Sequence, residues 1–330
     1  HNLPAQGLKI LIIGFGSIGR RHYHNFKNLG CSNFVFCRTG RGTVDDAETS
    51  DYPRAASVQE ALSHRPDVAV VANPTALHVE AALAAARAGC DLLIEKPLSH
   101  SMQGCEELLD AVRVSNRVAM IGCQYRFHPL LIRLRDAIQA GRLGTVLAAR
   151  AEWGEHLPNW HPWEDHRSGY AARADLGGGV VLTLIHPLDY LYWMFGPVES
   201  VQAGIRSVPA LDTPAGEDWA HLNLQFESGV LAQVELDYWR RPAVHQLAVR
   251  GENGSAVWDY HDGSLCWIDC EGGEEIERLP KSFDRNDMFI QEAEHFLECV
   301  AERKPSCIPL EDGVAVLDVA LKAKENAQSS

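Results

Sequence analysis

The sequence predicts a two-domain α/β protein, with a helix-covered parallel sheet at its N-terminal end and an α+β domain built on a large, mostly antiparallel sheet behind it. Three observations predict it. From residue 8 to about 123, short apolar runs alternate with helical patterns. The turn Gly14-Phe15-Gly16-Ser17-Ile18-Gly19 closes the first of those runs and opens a helix. From residue 198 to 268, apolar residues alternate with polar ones, the period of half-buried strands.

In the first stretch, strands are expected at residues 9–13, 34–37, 67–72, 91–95 and 118–121, with helices at 17–29, 58–64, 76–88 and 102–115 between them. Strands apolar on both faces belong in a parallel sheet covered by helices. The rhythm changes after Cys123. A helix at about 130–140, a strand at 146–153, a polar and aromatic loop to 176, and one helix at about 178–195 are expected. Strands at 220–226, 230–238 and 246–250 are punctuated by Glu227-Ser228-Gly229 and Glu252-Asn253-Gly254, and helices at about 286–302 and 312–327 close the chain. A chain of 330 residues suits two cores better than one, and the boundary falls at residues 1–123 and 124–330, with the last helix free to pack back on the first domain.

Composition narrows the function. Apolar residues at 46% and charged residues at 22% fit a packed globular protein. A net charge of -14 with no basic run repels phosphate backbones and anionic lipid, so nucleic acid and membrane surfaces are not expected partners. Apolar runs are strand-sized, far short of the roughly 20 residues of a membrane span. The opening His1-Asn2 reads as a trimmed end without a leader. Nine scattered cysteines without a CxxC pair fit a reducing cytoplasm better than a disulfide framework or a zinc site.

The glycine turn is the first candidate site. Gly14 makes the tight turn, Gly16 lets backbone approach a pyrophosphate, Gly19 lets helix and strand pack closely, and the helix N-terminus offers N–H donors to the anion. NAD enzymes usually place an acid at the end of the second strand for the ribose 2′-hydroxyl. Here that strand ends Cys37-Arg38-Thr39-Gly40-Arg41, where guanidinium and hydroxyl groups suit a 2′-phosphate. NADP(H) is therefore the expected cofactor. Stacking of Arg38 on adenine, with NAD accepted, is the alternative.

Further motifs follow in order: Asn73-Pro74-Thr75 with His78, Glu95-Lys96-Pro97, Gln124-Tyr125-Arg126, Gly177-Gly178-Gly179, and His186-Pro187-Leu188-Asp189. Together with the glycine turn they resemble the glucose-fructose oxidoreductase / inositol dehydrogenase / rhizopine-catabolism (Gfo/Idh/MocA) family over nearly the whole chain. The resemblance implies a Rossmann domain, a nicotinamide facing the antiparallel sheet domain, and hydride transfer to or from a secondary alcohol of a sugar, sugar nucleotide or cyclitol. Lys96 would polarise the alcohol or relay its proton, and Pro97 would follow a cis peptide. His186 would be the general acid or base, its ordinary pKa being near 6.5.

The same resemblance puts Phe15, Ser17, Ile18, Asn73, Pro74, Thr75, His78, Glu95, Lys96, Pro97 and Gln124 around the cofactor, and Lys96, Tyr125, Arg126, Thr183 and His186 around the substrate. Asp189, on the helical face of His186, would orient or pack. Many relatives carry an aspartate where this chain has Thr183, and threonine takes up no proton at neutral pH.

The loop at 155–175 adds Trp160, His161, Trp163, Arg167 and Tyr170, aromatic and charged groups that suit a sugar-binding lid; the alternative is a plug at an interface. His156, His161 and His166 share no helical or strand face, so no metal is expected there. A homodimer or homotetramer through the second sheet is expected from resemblance. Two rival functions stay open: a redox-assisted glycosidase or lyase that keeps its cofactor, and a non-catalytic NAD(P) sensor.

Overall fold

Strand β1 (Lys9–Ile13) lies between β2 (Asn33–Cys37) and β4 (Val68–Val71), all parallel, and its last four residues are buried. The computed structural model describes residues 7–38 and 47–328, which fall into two units, one of residues up to Gln124 with 285–314, the other of 125–284 with the rest. The sheet of the first unit runs β3-β2-β1-β4-β5-β6, with β3 (Arg54–Ala55), β5 (Asp91–Glu95) and β6 (Ala119–Gly122). Every pair in it is parallel. This is the doubly wound order whose strand ends bind dinucleotides.

Helices α1 (Ser17–Asn28), α2 (Val58–Leu62), α3 (His78–Arg87) and α4 (Cys105–Val114) connect these strands. In α1 the residues Gly19, His22, Tyr23 and Phe26 are buried, a spacing that makes one covered stripe. The two-residue edge strand β3 carries no periodic signal of its own and was not expected from the sequence. The expected helix at 76–88 begins as a 3-10 turn at Thr75–Leu77 before becoming α3.

The second unit begins with α5 (Pro129–Gln139) and β7 (Val146–Gly154). The single helix expected at 178–195 is two, α6 (Val180–Thr183) and α7 (His186–Phe195). Pro187 explains the break: it has no N–H for the carbonyl of Thr183, and its ring would crowd that carbonyl in a continuous helix. His186 therefore starts a helix instead of sitting inside one.

Strands β8 (Val198–Arg206), β9 (Trp219–Phe226), β10 (Leu231–Asp237), β11 (Val244–Gly251), β12 (Gly254–Asp259), β13 (Ser264–Ile268) and β14 (Glu274–Arg278) complete an eight-stranded sheet ordered β14-β13-β12-β11-β7-β10-β9-β8. Only β7 and β10 pair in parallel among them. Alternation along β9 and β10 buries Leu222, Leu224, Ala232 and Val234 on one face. The charged strand β14 extends the sheet past the last strand expected at residue 268, because its edge position needs little apolar alternation.

Residues 285–314 of the first unit hold α8 (Arg285–Glu302), whose Asn286 side chain accepts from Arg21 and donates to Asn25 of α1. The last helix, α9 (Leu310–Gln328), packs Gly313 against Ile121, and near its end Asn326 donates to the Val201 carbonyl of the second unit. All nine cysteines are free, and among the described residues no helix is long and apolar enough to cross a membrane.

Candidate active site

The glycine turn is built so that each glycine is needed for a different reason. Gly14 has φ +88°, and a Cβ there would lie 2.6 Å from the Ala72 carbonyl oxygen; one on Gly19 would lie 2.1 Å from the Gly14 oxygen. A Cβ on Gly16 would meet nothing within 4 Å. Gly16 is also the N-cap of α1 and no side chain caps it, nor is there an acid in the first turn. Its N–H donors and the positive end of the helix dipole thus face open space beside exposed Ser17, an arrangement suited to a pyrophosphate. Ile18 is half-buried, whereas Phe15 turns its ring inward against Tyr23 and Phe36 and offers only backbone to the turn.

At the carboxyl ends of the neighbouring strands the loops are tied together by His78. Its Nδ1 lies 2.8 Å from the Pro97 carbonyl and its Nε2 2.8 Å from the Asn73 carbonyl. Burial pulls its pKa down, while both carbonyls favour the proton. Thr75 is buried and Pro74 exposed beside it. Half-buried Lys96 follows the fully buried β5, and its peptide bond to Pro97 is cis, as the resemblance implied. Gln124 is buried where the first unit ends.

In the second unit His186 lies in an aromatic cradle. The Tyr125 ring meets it edge-on at 4.7 Å and the Trp153 indole lies at 5.6 Å. Trp153 stacks in turn on its cross-strand partner His245, with ring centroids 4.5 Å apart and planes within 5°. Burial, with smaller contributions from His261 and His128, holds His245 well below its ordinary pKa, so that it stays neutral. Thr183 is buried near Tyr238, whose phenol donates its proton to the Ala171 carbonyl at 3.0 Å. Arg126 is likewise engaged: its guanidinium makes two bonds to Asp189 inside the protein. Asp189 thus orients and packs.

The loop after β7 is made of short 3-10 turns at Leu157–Asn159, Tyr170–Ala172 and Ala174–Leu176. Trp160 packs edge-on against Tyr238, while His161, Trp163, Arg167 and Tyr170 are exposed, Trp163 to 76%. Arg167 is held by Asp165 and Asp212, and His166 by the Leu211 carbonyl. At the end of β2, the Arg38 guanidinium stands 5.1 Å from the Phe15 ring centroid; burial and then the charge of Arg54 lower its pKa. Thr39 and Arg41 lie outside the described residues.

Sequence reasoning passed over Trp153, His245, Tyr238, His22 and Glu292. Trp153 and His245 meet only because β7 pairs with β11, across a long intervening segment. Glu292 did leave a signal: it is an acid on the apolar stripe Met288, Phe289, Ala293, Phe296 of α8.

Comparison with known proteins agrees with this architecture. Residues 8–123 match the family model described as an oxidoreductase family with an NAD-binding Rossmann fold, and residues 131–257 match the GFO/IDH/MocA C-terminal domain. The chain is 30% identical over 221 residues to 1,5-anhydro-D-fructose reductase of Ensifer adhaerens, covering 66% of this chain and 64%, less than two thirds, of that protein. It is 24% identical over 335 residues to myo-inositol 2-dehydrogenase of Thermotoga maritima, covering 97% and 96% of the two chains. The solved structure of levoglucosan dehydrogenase in complex with NADH and levoglucosan shares the fold, with a TM-score of 0.87 at 19% identity over 98% of this chain and 97% of that one. With both domain models matched in order along one chain, this protein belongs to the GFO/IDH/MocA family of oxidoreductases, whose N-terminal domain is an NAD-binding Rossmann fold.

Proposed function

We propose that the protein is an NAD(P)-dependent dehydrogenase or reductase acting on a secondary alcohol or ketone of a sugar, sugar nucleotide or cyclitol. The observation that carries this is the open, uncapped glycine turn at the start of α1, which fits a dinucleotide pyrophosphate where Gly16 faces free space. Relatives named for anhydrofructose and myo-inositol support the substrate class. Asn73, Pro74, Thr75, Pro97, Gln124 and the backbone at Phe15, Ser17 and Ile18 are proposed to line the cofactor, with His78 holding their loops in register, whereas the Glu95 side chain turns inward to His22 and leaves only its backbone to the cofactor side.

A nicotinamide held there would supply the hydride acceptor or donor. Lys96 hydrogen-bonds the reacting hydroxyl through its Nζ and stabilises the oxygen as charge builds on it. The His186 imidazole, at the start of α7, takes up the alcohol proton in oxidation and returns it in reduction. Tyr125 and Trp153 limit how that ring can turn. Thr183 supplies a hydroxyl and no base, so proton handling is assigned to Lys96 and His186 alone. Trp160, His161, Trp163, Arg167 and Tyr170 are assigned to the sugar side, with Arg126 acting through Asp189.

NADP(H) is the proposed preference, because Arg38 and Arg54 bring two cations to the end of β2 and β3, where a 2′-phosphate would lie. Assembly as a dimer or tetramer through the second sheet is supported by its outward cross-strand row Ile276, Cys266, Val257, Ala248, Arg150, Gln233, with Leu231 also outward at 57% exposure. Nine free cysteines suit a cytoplasmic setting.

The test is a panel of sugars, sugar nucleotides and cyclitols, read at the reduced-nicotinamide absorbance with NADP and NAD. Stoichiometric cofactor turnover with at least one is expected. Substrate conversion without net cofactor change would replace this reading by a redox-assisted lyase or glycosidase, and cofactor binding without any conversion by a sensor.

A further inference from the structure

Beneath the end of β5 three ionisable side chains meet out of reach of solvent. His22 of α1 is 0% exposed, Glu95 5% and Glu292 of α8 0%. His22 Nε2 lies 2.6 Å from Glu95 Oε1, and the nearest atoms of all three groups lie within 4.8 Å of one another. Neither carboxyl oxygen of Glu292 has a hydrogen-bond partner among the described residues, nor does His22 Nδ1. The side opposite is closed by Gly122 of β6, where a Cβ would lie 2.7 Å from Glu95 Oε1, so the carboxylate occupies space that only glycine leaves open.

Two ionised carboxylates here would face at most one imidazolium, leaving uncompensated negative charge among side chains closed to bulk solvent. A metal ion or a proton resolves that. Two ligands on one small divalent ion, each about 2.1 Å from it, stand roughly 3.4 Å apart in tetrahedral geometry. The 2.6 Å contact of His22 with Glu95 is instead a charge-assisted hydrogen bond. Around Glu292, α1 presents His22 and β5 presents Glu95, which Gly122 of β6 borders in turn. On its own helix the neighbours Met288, Phe289 and Phe296 are apolar, and His295 is turned to the Cys307 N–H. Burial, and then the charge of Glu95, push the Glu292 carboxyl well above the usual range, in the same direction.

We propose that Glu292 is carried as an un-ionised carboxylic acid and serves as a positioning residue, filling the buried space beside the His22–Glu95 pair without adding a second charge to it, and so holding the end of β5 from which Lys96 projects. The proton sits on a Glu292 oxygen, and His22 donates from Nε2 to Glu95 Oε1. The part that concerns Lys96 rests on the function proposed above; the protonation state does not.

The experiment pairs infrared spectroscopy with kinetics on the full chain. A carboxylic-acid C=O stretch is expected at pH 8 that disappears in Glu292→Gln; no difference between the two spectra overturns the proposal. Glu292→Ala should lower kcat about ten- to a hundred-fold with KM and cofactor Kd nearly unchanged, since a loosened but intact site loses rate before binding. Glu292→Gln, neutral and of the same size, should recover most of that loss; a Gln variant as impaired as the Ala variant would refute the positioning role. One divalent ion per purified chain, with chelation abolishing the infrared band difference, would also overturn it. If the wild type turns over no substrate in the panel, the proposed function fails while the infrared result still decides the state of Glu292.

Discussion

Arg126 and Asp189 form a two-pronged pair inside the second unit, Nε to Oδ2 at 3.0 Å and Nη2 to Oδ1 at 2.7 Å, with both side chains 2% exposed. Asp189 lies one turn beyond His186 on α7, so the pair fixes the helix that presents the imidazole. Removing one partner strands the other charge away from water. Asp189→Ala should therefore cost about 3–5 kcal/mol in urea unfolding and reduce turnover with it. An unfolding midpoint equal to wild type would mean that Arg126 is held by something else.

His128 accepts the Leu130 N–H at Nδ1 and so caps α5, a role that needs an unprotonated ring. Burial lowers its pKa from 6.5 to about 4. Because the folded value lies below the unfolded one, its contribution to stability is complete above pH 6.5 and is lost as pH falls from there to about 4. The loss amounts to about 3 kcal/mol at the acid end. His128→Asn keeps a capping acceptor but cannot charge. Its stability should fall less steeply than wild type between pH 7 and 5; parallel curves would contradict the assignment. His78 and His245, shifted in the same direction, leave a residual slope.

Lys96→Met retains length and burial but loses the ammonium. Turnover should drop about a hundred- to ten-thousand-fold while cofactor quenching of protein fluorescence persists. Near-normal turnover would remove Lys96 from the chemistry.

The three glycines of the turn separate folding from binding. Gly14→Ala puts a Cβ 2.6 Å from the Ala72 oxygen at φ +88° and should lower the melting temperature. Gly16→Ala meets nothing in the protein, so the melting temperature should stay put while NADP(H) affinity falls about ten-fold. Unchanged affinity in calorimetry would place the pyrophosphate elsewhere.

Arg38→Ala should weaken NADP(H) binding about ten-fold or more, the worth of one charge-assisted bond, and leave NAD(H) within about two-fold. Equal losses for both cofactors would point to adenine stacking, the alternative that the sequence left open.

Two strands of the parallel sheet were legible to the residue, and three more to within a residue at either end: 9–13 and 91–95 were expected with the bounds that β1 and β5 have, because runs buried on both faces write their own signal. The glycine turn was equally plain, since backbone conformation at Gly14 is a local property. Local signals fail where the partner is remote in sequence. The break before His186 was written in Pro187, yet the apolar run around it favoured one helix. Strand β3 exists because Phe36 and Cys37 offer it an edge. Thr183 looked like a missing base in the sequence, and only the folded chain buries it near Tyr238, 55 residues away, while Glu292 reaches His22 and Glu95 from the far end of the first unit. The sequence alone determined which chain segments are buried and where a backbone must turn, because those depend on neighbours a few residues apart. Tertiary structure decided which polar groups lose water together and therefore which of them are charged, since desolvation and Coulomb interaction depend on distance in space.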